Sequence, residues 1–119
     1  MSLQTTLQAA LAGIAAGGAW NLRAAQNTSP PYIAWQRVIS TTNNSLRGAS
    51  DVQNTRVQID AYATSYTAAD ALGSAIEAAV VGIGAIKLSE QDFFEDDTRL
   101  YRVSQDFSLC TTYHPPPTT

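Results

Sequence analysis

The chain has 119 residues and a net charge of −3, with hydrophobic residues at 45% and charged residues at 14%. That length suits one domain with a single core, and the acidic balance argues against a nucleic-acid binder that works by neutralising phosphates. A single cysteine, Cys110, excludes an intrachain disulfide and any cysteine-based zinc cluster.

The charged share falls below the usual value of about 25%. Either the surface is made to be buried against partner protein, or Ser, Thr, Asn and Gln stand in for charge. The charge is also segregated. No Asp or Glu precedes Asp51, and the first half carries Arg23, Arg37 and Arg47. Such asymmetry suits complementary contacts between copies of one chain.

Residues 2–16 predict a helix, with Ser2 as N-cap and Leu3, Leu7, Leu11 and Ile14 on one side. Its other side is uncharged and alanine-rich, and Gly17 and Gly18 stop it. The apolar segment 7–20 lacks the basic flank of a signal peptide. The later apolar stretch 73–86 is interrupted by Glu77 and is short for a bilayer. A soluble, unprocessed chain with no membrane association is the expectation.

A short edge strand is expected at 20–23, a turn-rich loop at 27–31, and a strand at 32–39 (YIAWQRVI). The polar segment 40–53 reads as a long loop. Alternation is clearest at 55–63, where Val57, Ile59, Ala61 and Ala63 oppose Arg56, Gln58, Asp60 and Tyr62. Thr67 is the expected start of a second helix, with Asp70 completing a capping-box variant. Its apolar stripe is Leu72, Ile76, Ala79, Val80 and Ile83, and Gly82 and Gly84 end it. Strands follow at 85–94 and 98–110, joined by the acidic turn Glu95, Asp96 and Asp97. The second of these puts Tyr101, Val103, Phe107 and Leu109 on one side. The expected fold is α+β: an antiparallel sheet of about four strands with two helices packed on one face. Residues 1–110 form the domain, and 111–119 form an extended Pro-rich arm.

Catalytic chemistry finds little support. His114 is the sole histidine and lies beside a proline run, with no neighbour to hold it in a triad. The acidic series Glu90, Asp92, Glu95, Asp96 and Asp97 lacks the glycine and spacing of a calcium loop, and reads as a solvated hairpin turn. Gly82 and Gly84 follow a helix, which is the wrong context for phosphate binding. Arg99 and Arg102 are too few for a basic patch and are expected to pair across strands with Asp60 or Asp106. No catalytic residue, metal site or cofactor is expected.

Three blocks of sequence are similar to one family. PPYIAWQRVISTTNNSLRG (30–48), VQIDAYATSYTAADALGSAIEAA (57–79) and TRLYRVSQDFSL (98–109) resemble, in order, the proline-led first strand, the central strand with its following helix, and the last strand of the small tail-completion proteins of long-tailed bacteriophages. The resemblance implies a structural virion protein, not an enzyme, made in the host cytoplasm. It further implies a homo-oligomeric ring, of six copies, that terminates the tail tube or joins it to the head connector while DNA passes through its lumen. A head-side neck protein docked on the portal complex is an alternative. A module binding a small ligand or peptide on the polar sheet face is another, of a different class.

Within that role, the 40–53 segment is expected to touch a neighbouring copy or ring through Asn43, Asn44, Leu46 and Arg47. Tyr113, Pro115, Pro116 and Pro117 are expected to anchor the arm on a neighbouring protein. Glu95, Asp96 and Asp97 are expected to face the lumen, where they would repel phosphate.

Overall fold

A computed structural model describes the backbone of residues 3–22, 28–45 and 48–112, and the side chains of 5–22, 28–38 and 55–109. The elements in chain order are α1 (Leu3–Leu11), β1 (Ala19–Asn21), β2 (Tyr32–Ser45), β3 (Gly48–Ala63), α2 (Tyr66–Val81), β4 (Ile86–Glu95) and β5 (Leu100–Thr112). The strands form one sheet in the order β1-β2-β3-β5-β4. Two helices on a five-stranded sheet give the expected α+β arrangement, with one strand more than expected. The sheet is mixed: β1 runs parallel to β2, while the other three pairings are antiparallel.

Alternation works as expected in β3. Val57, Ile59, Ala61 and Ala63 are buried, and they join Ile33 and Trp35 of β2 and Val103 and Phe107 of β5 in the core. Both helices close over this face with Leu7, Leu11, Leu72, Ile76 and Val80. Each such side chain contributes about 1.5–3 kcal/mol by leaving water.

The helix boundaries differ from expectation for local reasons. α1 ends at Leu11, and the chain continues in turns, as expected where Gly13 weakens helix propagation. Its anchor is polar. Trp35 Nε1 donates to Gln8 Oε1 (2.9 Å), and Gln8 Nε2 donates to the Ala19 carbonyl (2.8 Å). Ser2 lies outside the described residues. α2 is capped by Ser65, whose hydroxyl accepts from Ala68 N at 3.2 Å. The helix therefore starts one residue before Thr67, and the Thr67/Asp70 box is not its cap.

The largest correction concerns residues 40–53. Residues 40–45 and 48–53 are strand, not loop: β2 runs on to Ser45 and β3 begins at Gly48, with pairing down to Ser45↔Gly48 and register shifts at 37/39 and 42/44. β5 follows β3 as far as Val52↔Thr112. Backbone groups make these ladders and need no apolar side chain. Periodicity and propensity report burial, so a polar hairpin escapes them.

Candidate functional site

The face of the sheet away from the helices is a ladder of polar and aromatic rows. Alternation along each strand and the pairing registers align them. Tyr32, Tyr62, Arg102 and Phe93 are successive partners across β2, β3, β5 and β4. The two tyrosine rings stack at 4.8 Å. The Arg102 guanidinium lies 4.4 Å from the centre of the Phe93 ring, a cation–π contact. The next rows are Ala34, Asp60, Ser104 and Gln91, then Gln36, Gln58, Asp106 and Ser89.

Within the ladder Arg56 Nη2 donates to Asp106 Oδ2 at 3.0 Å, and the Ser89 hydroxyl donates to the same oxygen at 3.2 Å. Gln58 Nε2 contacts both carboxylate oxygens of Asp60 at 3.3 Å. The expected pairing of Arg102 with an acid is thus redirected. Asp106 is taken by Arg56, and Arg102 sits between Phe93 and Tyr62 with Asp60 acting on it through charge. Partial burial disfavours the Arg102 cation, but its hydrogen bond with Tyr62 and the charges of Asp60 and Glu95 outweigh that and raise its pKa. Burial also raises Tyr32 and Tyr62 above the ordinary tyrosine value.

Beside this ladder lies an open groove of about 890 Å³, lined by Tyr32, Gln36, Asp60, Tyr62, Arg99 and Arg102 among others. Among the described residues no three His, Cys, Asp or Glu side chains gather to hold a metal ion. Among the same residues no helix is long and apolar enough to cross a membrane.

The two flanks of the sheet differ from this face and from each other. The flank of α1, β1 and β2 comes from the acid-free part of the sequence and exposes Arg37 and Val38. The opposite flank is β4, which carries Glu90, Asp92 and Glu95 and is exposed on both faces over most of its length. Ile86, Leu88, Phe93 and Phe94 are all exposed there. Lys87 bridges Glu77 of α2 and Glu90, each at 2.8 Å. The Tyr66 hydroxyl donates to Asp92 at 2.9 Å.

The sequence-expected residues scatter around this frame. Asn43 and Asn44 lie in β2 near the hairpin end. Leu46, Arg47, Tyr113, Pro115, Pro116 and Pro117 lie outside the described residues. Glu95 closes β4, and Asp96 and Asp97 are exposed in the turn that follows. The registers place this turn and the hairpin end at opposite ends of the sheet. Sequence reasoning missed the Tyr32–Tyr62–Arg102–Phe93 row and the apolar residues of β4. The available signal for β4 was that its apolar residues follow neither a strand nor a helix period.

Fold and site together define a small two-layer α+β protein whose distinctive surfaces are sheet edges and a polar ladder. The model of the family "Tail completion protein gp17" matches residues 3–112. The chain therefore belongs to the tail-completion protein family and is a structural protein of the virion tail. Among solved structures it is similar to a chain of the "Virion of native gene transfer agent (GTA) particle". The TM-score is 0.67 at 17% identity, covering 90% of this chain and 92% of that one, which shows a shared fold. No curated protein matches the sequence.

Proposed function

We propose that the protein acts as one subunit of a closed ring of six copies that terminates the tail tube at its head-proximal end and joins it to the head. The observation that carries this reading is the placement of two unlike flanks on opposite sides of one sheet, an acid-free flank at β1 and β2 and an acidic one at β4. Unlike surfaces on one subunit favour head-to-tail contact, which closes into a ring when the rotation permits. The family supplies the context of the tail.

Imaging of the tail-bound protein at subunit resolution tests this. A closed ring at the head-proximal end is expected, and isolated copies there would overturn the reading. A ring touching only portal-side proteins would favour a head-side neck protein instead. The open groove on the polar face suits the other alternative, a peptide- or ligand-binding module, which would be found as a monomer with an occupied groove.

Three contacts belong to the same reading. The hairpin end, with Asn43, Asn44, Leu46 and Arg47, reaches the adjacent ring or connector; shortening it is expected to impair tail completion while the fold survives. Tyr113, Pro115, Pro116 and Pro117 anchor on a neighbouring protein; deletion of 113–119 is expected to weaken incorporation without lowering the melting temperature of the isolated domain. Glu95, Asp96 and Asp97 face the lumen, where fixed negative charge keeps DNA from sticking. Changing Asp96 and Asp97 to lysine is expected to slow DNA passage and leave assembly intact.

A further inference from the structure

The structure leaves two strand edges open. On one side β4 offers ten residues, and among the described residues nothing pairs with its outer edge. On the other side β1 covers β2 at Ile33, Ala34 and Trp35, and its flanks add bonds from Ile33 N to the Gly18 carbonyl and from Leu22 N to the Trp35 carbonyl. From Gln36 to Ser45 the outer edge of β2 has no described partner. Open edges are templates for another strand, and proteins usually blunt them with charge, bulges or brevity. Here β4 has its bulge at 87/89, and from Ser89 to Glu95 its pairing with β5 is uninterrupted.

We infer that the ring junction is an edge-to-edge sheet contact, in which β4 of one copy pairs antiparallel with the Gln36–Thr42 part of β2 in a second copy. This rests on the ring reading and specifies its interface. The strand directions follow from topology. β2 and β5 run one way and β3 and β4 the other, so a neighbour related by rotation about an axis along the strands presents its β2 antiparallel to β4.

Face matching then selects the register. On β4, Asp92 and Phe94 pair with Val103 and Tyr101 and so lie on the helix-covered side, while Phe93 and Glu95 lie on the other. On β2, Arg37 is opposite Val57 and so lies on the helix-covered side, with Gln36 on the other. Setting Glu95 beside Gln36, where the pairing of β1 stops, matches faces at Gln36 and Arg37; β2 then changes face at its irregularity between Arg37 and Ile39, and the match is kept beyond it when Arg37 and Val38 together oppose Phe94. It brings Arg37 opposite Phe94 and one pair from Asp92.

The charges agree with this match. Arg37 is exposed and forms no ion pair among the described residues. The β4 edge carries Glu90, Asp92 and Glu95, and no acid occurs anywhere in β2. Phe94 is 46% exposed in the isolated subunit and becomes covered. The junction is strand addition between copies: main-chain bonds supply adhesion and the charges fix the register. The hairpin end beyond residue 42 is left free to project.

Two measurements on tails assembled with the full chain test this. Gln36→Cys combined with Glu95→Cys, in a Cys110→Ser background, is joined with a short bismaleimide. A ladder of cross-linked species ending at the ring's copy number is expected, with no ladder from either single cysteine variant. Separately, Arg37→Glu or Asp92→Arg alone is expected to lower ring incorporation about tenfold through like-charge contact, and the double exchange to restore most of it. A closed ring that yields no ladder and ignores both charge reversals overturns the edge junction and leaves the ring reading standing. Separate copies on the tail overturn both.

Discussion

β3 and β4 are strands of one sheet, yet they live in different surroundings. β3 lies between β2 and β5, and its Val57, Ile59 and Ala61 are wholly buried beneath the helices. β4 hangs at the margin, where Ile86 keeps 66% of its surface exposed and Phe94 46%. On the helix side its partners are charged groups of α2 and its own strand, with Lys87 between Glu77 and Glu90. The difference separates two uses of apolar residues. In β3 they hold the subunit together. In β4 they add little to the subunit and are available to something outside it.

The sharpest way to break the β3 side of this contrast is Phe107→Ala. Phe107 faces Val57 across the ladder and is fully buried. Its loss is expected to cost about 3–5 kcal/mol, read as a fall in the urea midpoint with an unchanged slope.

Gly73→Ala comes next. A Cβ there would lie 2.8 Å from Gln105 Nε2 and 3.1 Å from Val103 Cγ1. It would displace an amide that donates to the Gly73 carbonyl at 2.9 Å. Overpacking less the gain in helix propensity leaves a loss of about 1–2 kcal/mol, measurable by thermal unfolding. Gln105 is only 1% exposed, so its environment has little room to adjust.

The charged cover of β4 titrates. Hydrogen bonds to Glu77 and Glu90 raise the Lys87 pKa, and the hydrogen bond to Asp92 raises that of Tyr66. In both cases folding favours the protonated form. Their contribution is therefore full below the ordinary values of about 10 and is lost as pH climbs through the raised folded ones. Unfolding midpoints are expected to decline in that alkaline window. Lys87→Met should flatten the decline while costing only about 0.2–1 kcal/mol per pair near neutrality, as exposed ion pairs do.

The smallest effect on the subunit is expected from Leu88→Ser in the β4 bulge. Leu88 is 49% exposed, and the change should stay within about 0.5 kcal/mol by denaturant titration. A loss as large as that at Phe107 would show that β4 belongs to the core after all, and the contrast would fall.

Much of this was legible in the residues. The alternation of 55–63, the stripe Leu72, Ile76 and Val80, and the pattern Val103, Phe107 and Leu109 each name a buried face, because one side of each element meets the core and the other meets water. From them the α+β class and the helix-covered face follow without coordinates, and the three family-like blocks point to tail completion.

The rest depends on which segments meet, and pairing is non-local. That β5 inserts between β3 and β4, that the polar stretch 40–53 continues two strands, and that Tyr32, Tyr62, Arg102 and Phe93 line up in one row are set by register across the sheet. Gln105 follows the same logic: its polarity predicts exposure, yet its place opposite Ile59 puts it under α2, where the Gly73 carbonyl receives its amide. Sequence periodicity records which side of a strand is buried. Only the tertiary structure decides which strand becomes the edge, and here that choice leaves β4 and the far part of β2 with backbone groups to offer a neighbour.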